Sequence, residues 1–514
     1  MKKTIPPHIS QSFNRRAVLG LLLAGAAGTA MAQSAGGDLT TSPFPRAKPN
    51  DFYKRGIPTA QKLIEQSRVS GRPSFAVADM NGTVLETHDP INPLPPASVA
   101  KVITALYALE HLGPDFVFST EIIATGPLVD GKIQGDLILK GSGDPTLDSD
   151  MLGTLAGTLV AQGIIGITGD FYVDGTALPR IELIDTEQTE YAGYNPTITG
   201  LNVNYNRVHF EWKKQSNGFD LKMDARAKTF APPVKIASMR VVDRGLPVFD
   251  HVAGQERDDW TVAQSALGNG GARWLPVRLP TLYAGEVFAA VAKAQGLSLP
   301  KAKAIGARVG KVGEAQFLLT THQSPKLTVL VKDMLKYSTN LTAEVLGLTA
   351  SRAQGLAPQD LRGSAKAMSD WAEHNLNSRH LDFVDHSGLG GASLVTTTDM
   401  VRVLTASGVA AQLAPLLKPI APRDGDYNVI KSPDFSIDAK TGTLDFVSTL
   451  AGYVTGADGR TLAFASFAAD VPARVAAKAS GAEVPRGAKT FNTRAKRLHQ
   501  MLIGRWVATY ANSA

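Results

Sequence analysis

The run Leu94-Pro95-Pro96-Ala97-Ser98-Val99-Ala100-Lys101 leads straight into a helical pattern. Val102, Ala105, Leu106 and Leu109 recur at spacings of three and four, and Gly113-Pro114 ends the pattern. A spacing of three puts Lys101 on the helix face of Ser98, within reach of its hydroxyl. The helix start adds backbone N–H groups and positive potential for a developing oxyanion. A lysine in that place acts as a base only when neutral, which needs burial or neighbouring cations. For this pair alone, an N-cap serine beside a solvated lysine is the commoner arrangement.

Two further motifs change the balance. Ser338-Thr339-Asn340 breaks the chain between a helical run over 328–337 and the run beginning Leu341-Thr342-Ala343-Glu344. Ser338 offers a hydroxyl that relays protons, and Asn340 an amide that holds a carbonyl. Lys440-Thr441-Gly442-Thr443 lies on a predicted strand: the lysine is a fixed charge, Gly442 admits a close backbone, and both threonine hydroxyls suit a carboxylate. Ser298-Leu299-Pro300-Lys301 repeats the Ser-x-x-Lys spacing but has proline inside the turn, and Ser12-Phe13-Asn14 repeats Ser-x-Asn within the leader. Asp385-His386-Ser387 is not a triad, because adjacent residues cannot face one another; Ser387 is expected to shape a rim loop.

Working outward, an apolar run over 74–78, the turn Asp79-Met80-Asn81-Gly82 and a return over 83–87 predict a hairpin. A second hairpin is predicted over 450–455 and 462–467, followed by an amphipathic helix over 494–510 that packs on its own sheet. Between these ends, 119–304 is β-like and punctuated by glycine. The expected organisation is an α/β (α+β) catalytic domain, an antiparallel five-stranded sheet with flanking helices, built from 46–118 and 305–514. A β-rich insertion over 119–304 interrupts it.

The chain has 514 residues, a formal charge of +7 and no cysteine, which excludes disulfides, thiolate nucleophiles and zinc–thiolate sites. Arg15-Arg16, an apolar run to Ala27 and Ala30-Met31-Ala32 predict a twin-arginine signal peptide over 1–32, with a leader over 33–50. Lys2, Lys3, Arg15 and Arg16 carry four of the seven net charges, so no nucleic-acid partner is expected. The apolar run reads poorly as a membrane span, and membrane contact is expected to be peripheral at most. The ten histidines show no ligand spacing, so no metal or cofactor is expected.

The three motifs, in this order and these settings, resemble the active site of the penicillin-recognising serine hydrolases, the transpeptidase-like fold. About 240 residues separate Ser98 from Ser338, too many for a compact β-lactamase. The chain is similar to the class C low-molecular-mass penicillin-binding proteins, the D-alanyl-D-alanine carboxypeptidase/endopeptidase family. Gly143-Asp144-Pro145-Thr146-Leu147, Asp385-His386-Ser387-Gly388-Leu389, Gly452-Tyr453-Val454 and Gly459-Arg460 extend the resemblance. It implies a periplasmic carboxypeptidase, with endopeptidase work as a further expectation, acting on peptidoglycan peptides and acylated by β-lactams. By the same resemblance Ser98 is the nucleophile, Lys101 its base, Ser338 and Lys440 a proton shuttle, and Asn340 a holder of the substrate amide. Backbone N–H groups of Ser98 and Thr443 form the oxyanion hole; Thr441, Gly442, Thr443, Ser387 and Leu389 meet substrate, and Tyr194 is the insertion's aromatic at the cleft. Relatives commonly continue Ser-Gly-Leu with Ser-Arg, where this chain has Gly390-Gly391. The arginine contact to the substrate's peptide side chain therefore has no residue at these positions. The alternatives are a β-lactamase or esterase on the same site, and a wall-binding protein without catalysis.

Overall fold

The computed structural model describes residues 56–511 except 255, 306–315 and 480–484. The expected signal peptide and leader lie outside the described residues.

The catalytic sheet is antiparallel. Its order is Ser436–Leu444, Val447–Thr455, Thr461–Ala469, Arg72–Asp79, Val84–His88, with the two-residue strand Lys418–Pro419 added at the first edge. The middle strands are buried along nearly their whole length, because helices cover both faces. Alternation sorts their side chains. Phe75, Val77, Leu462 and Phe464 face the helix Ala488–Trp506, where Trp506 is fully buried between Phe75 and Phe464. Ala76, Ala78, Ala463 and Ala465 face the other way, onto Lys101–Leu112, Asn340–Ala353 and Thr397–Thr405. Small residues on this second face let the helix Lys101–Leu112 approach closely. Among the described residues no helix is long and apolar enough to cross a membrane.

The chain leaves this domain after Phe118 and builds a second core. A five-stranded sheet runs Lys303–Ala304, Phe171–Asp174, Leu137–Gly141, Ser119–Ala124, Phe317–Gln323, and Ser149–Ala161 and Pro280–Ala294 contribute to its core. Three small sheets of three strands each complete the described part of the region. One expected boundary is corrected here. The strand Phe317–Gln323, assigned above to the second catalytic segment, pairs antiparallel with Ser119–Ala124 and closes the inserted sheet. The reason lies where the chain crosses between domains. Ser324 N donates to Phe118 O and Phe118 N to Ser324 Oγ, each at 2.9 Å, so the returning chain runs beside the outgoing one. The catalytic fold resumes with the helix Leu327–Tyr337. Leu178, Ile184 and Ile198 of the insertion join the catalytic core, which brings the intervening loop to the mouth of the site.

Candidate active site

The turn that carries Ser98 is held in an unusual backbone shape. Ala97 has φ +46°, in the left-handed region that a residue with a Cβ rarely adopts, and Ala97–Ala100 form a 3-10 turn ahead of the helix Lys101–Leu112. Its neighbours fix this geometry. Thr449 Oγ1 donates to Pro96 O at 2.7 Å, and a Cβ on Gly442 would stand 2.8 Å from that oxygen and 3.0 Å from Ala97 Cβ. The strand bearing Lys440 thus lies directly on the turn bearing Ser98, and only glycine allows it. Gly388 (φ +71°) abuts Ala97 O from the other side.

Lys101 is fully buried, and its Nζ donates to Ser98 Oγ at 3.0 Å, Asn340 Oδ1 at 2.8 Å and Ser387 O at 2.7 Å. Burial lowers its pKa to about 8, while Glu344 and Asp385 pull it upward. The loop supplying Ser387 O is fixed from within. Glu344, buried, accepts from His386 N at 2.9 Å, His386 Nδ1 at 2.9 Å and Ser387 N at 2.8 Å. Burial is the largest influence and works to raise the Glu344 pKa, but the hydrogen bonds from His386 and Ser387 together with the His386 charge outweigh it and hold the carboxylate low. Asp385 accepts from Gly388 N and Gly390 N, each at 2.6 Å, and burial with the Glu344 charge pushes its pKa up to about 8.

On the facing side, Lys440 Nζ donates to Ser338 Oγ at 2.9 Å and Thr441 O at 2.8 Å. Burial, with Lys101 and Lys418 nearby, lowers this amine's pKa well below the ordinary value. Ser338 takes the left-handed conformation (φ +62°) as the cap of Leu327–Tyr337, and the next helix begins at Asn340. Strand alternation buries Lys440 and Gly442 and exposes Thr441 and Thr443.

A cleft of about 500 Å³ is lined by Ser98, Ser338, Asn340, Leu389, Thr443 and Tyr194, so the three motifs and the insertion meet in one place. Tyr194 is 53% exposed, and its carbonyl accepts from Asn340 Nδ2 at 2.9 Å. Asn340 therefore ties the insertion to Lys101. The expectation for Ser387 is corrected: it is fully buried, its Oγ accepts from Leu389 N at 3.3 Å, and its carbonyl holds Lys101. It cannot form a rim, because Glu344 draws its backbone inward. The cleft also carries Arg273, Arg474 and Lys478, which the sequence reading missed. None sits in a motif, and Arg474 and Lys478 lie on a helix that follows the last sheet strand. Glu344 was in view beside Ser338-Thr339-Asn340, but nothing in sequence ties it to residues 386–387.

A family model described as the D-Ala-D-Ala carboxypeptidase 3 (S13) family matches residues 60–485. A D-alanyl-D-alanine carboxypeptidase from an Actinomadura species is 28% identical over 429 residues, 78% of each chain. The D-alanyl-D-alanine carboxypeptidase DacB of Haemophilus influenzae is 26% identical over 432 residues, 79% of this chain and 86% of that one. The crystal structure of penicillin binding protein 4 from Haemophilus influenzae superposes with a TM-score of 0.67 at 21% identity, covering 87% of this chain and all of that one.

Proposed function

Because the chain belongs to the D-Ala-D-Ala carboxypeptidase 3 (S13) family, a family of serine carboxypeptidases, we propose that it removes terminal D-alanine through an acyl group on Ser98. One observation carries the assignment of nucleophile and base. A neutral amine has two N–H donors and one lone pair. Ser387 O can only accept, and so can Asn340 Oδ1, so neutral Lys101 spends both donors there and turns its lone pair on the Ser98 hydroxyl. Burial makes the neutral form accessible near physiological pH.

Acylation then runs as follows. Ser98 Oγ attacks the carbonyl of the penultimate residue while its proton passes to Lys101 Nζ. Backbone N–H groups of Ser98 and Thr443 receive the oxyanion. The terminal amine leaves with a proton handed on by Ser338, which Lys440 contacts. Thr441 and Thr443 take the C-terminal carboxylate, Gly442 lets the peptide lie against the strand, and Leu389 and Tyr194 flank it. Asn340 holds the substrate amide by exchanging Tyr194 O for it. Water ends the cycle by hydrolysing the ester. Penicillin mimics the acyl donor and stays attached. The same chemistry on a peptide cross-link gives endopeptidase activity. Arg15-Arg16, the apolar run after them and Ala30-Met31-Ala32 support export by a twin-arginine signal, and so a periplasmic reaction.

Intact mass of the mature protein after brief exposure to a penicillin tests this, with Ser98→Ala alongside. A single lasting adduct on the wild type and none on the variant is expected. Rapid consumption of penicillin without an adduct favours a β-lactamase instead, and no reaction at all a wall-binding protein.

A further inference from the structure

The Ser98 cleft holds a cation that acyl transfer does not use. Arg474, on the helix Val471–Ala479, lines the cleft and is 6% exposed. Its Nη1 donates to Asp445 O at 3.1 Å, while its buried Nη2 has no hydrogen-bond partner among the described residues. A buried donor left unmet is costly, and a guanidinium fork matches the two oxygens of a carboxylate. Gly391 makes the room for it. A Cβ there would lie 3.0 Å from Nη2, 3.2 Å from Nε and 3.4 Å from Lys478 Nζ. Lys478 is already paired with Glu187. Burial lowers the Arg474 pKa, and Asp445 and Asp185 pull it back.

We propose that Arg474 is a specificity-determining residue that binds a carboxylate carried by the substrate peptide upstream of the scissile bond. This rests on the carboxypeptidase reading. In such a substrate nothing follows the terminal residue, whose carboxylate is taken by Thr441 and Thr443. A second anion in the cleft therefore belongs to the half that stays on Ser98. The guanidinium reaches the cleft from a helix far in sequence from residues 390–391, and the absent side chain at Gly391 leaves the space it fills.

The test uses the mature chain and two N-acylated peptides ending in D-Ala-D-Ala, with glutamate or glutamine as the residue before them. Release of D-alanine gives kcat/KM for each. Wild type is expected to prefer the glutamyl peptide by about tenfold or more, the scale of one charge-assisted hydrogen bond. Arg474→Gln brings the ratio to about one, through KM of the glutamyl peptide. Arg474→Lys keeps part of the preference, and adding Gly391→Arg to Arg474→Gln returns it. A wild type that cleaves both peptides equally well overturns the proposal alone. So does an Arg474→Gln that slows both by one factor, the signature of a residue that only holds the turn at Asp445. Should Arg474→Gln fail to fold, the lysine variant and the wild-type ratio decide. Penicillin acylation without D-alanine release from either peptide overturns the carboxypeptidase reading and this proposal with it.

Discussion

Lys101 Nζ stands 3.0 Å from Ser98 Oγ, in a setting that lowers the amine's pKa to about 8. If the neutral amine is the base, the rate of penicillin acylation rises with pH and levels off above about 8. Lys101→Arg stays protonated throughout and loses about a thousandfold or more, within the range of general-base catalysis. A stopped-flow pH profile checks both; a flat profile between pH 6 and 9 would remove Lys101 from the role. The same shift acts on stability with a definite sign. Below about 8 the amine is charged in both folded and unfolded chains, and its burial penalty is fully present. Between about 8 and 10.5 the unfolded chain binds the extra proton, so stability rises with pH across that window.

Glu344 governs the loop behind this pair. It accepts three hydrogen bonds from His386 and Ser387 while fully buried. Glu344→Gln turns one acceptor oxygen into an NH2 that faces a backbone N–H. The expected loss is about 2–4 kcal/mol in urea unfolding, with slower acylation because Ser387 O no longer fixes Lys101. Unchanged stability would mean that the loop is held by Asp385 alone.

What the sequence disclosed and what it concealed follow from distance along the chain. Ser98 and Lys101 share a helix turn, and Lys440 through Thr443 share a strand, so their relationships are local and readable. The hairpin over 72–88 and the helix packed on the sheet were legible from period and turn residues for the same reason. Glu344 with Ser387, Asn340 with Tyr194, and Arg474 beside Gly391 are pairs brought together only by the fold. The strand Phe317–Gln323 was assigned to the catalytic part because its register with Ser119–Ala124 is a long-range fact. Ser387 reads as a rim residue because nothing in its neighbours along the chain reports burial.

Gly442 tests the contact between its strand and the turn that carries Ser98. A methyl group there meets Thr449 Oγ1, Pro96 O and Ala97 Cβ at once, none of them the end of a long flexible chain. Gly442→Ala should therefore cost about 1–3 kcal/mol by overpacking and slow penicillin acylation at least about tenfold. Thermal unfolding and adduct formation measure the two effects. If acylation falls while the midpoint of unfolding holds, the strand has moved instead of the turn.

His499 lies under the sheet, between Ser448 Oγ at 3.3 Å and Ser466 Oγ at 2.8 Å, and burial lowers its pKa from 6.5 to about 4. The folded protein therefore keeps this ring neutral where the unfolded chain protonates it. Its contribution is present above pH 6.5 and is lost as pH falls from 6.5 to about 4, reaching about 3 kcal/mol at the acid end. A glutamine at 499 keeps a neutral polar group between the two serines at every pH. The stability gap between wild type and His499→Gln should accordingly narrow or invert as urea titrations move from pH 7 to pH 4. A gap that stays constant over that range would show that the ring takes up its proton in the fold as readily as in the unfolded chain, so that burial does not hold it neutral.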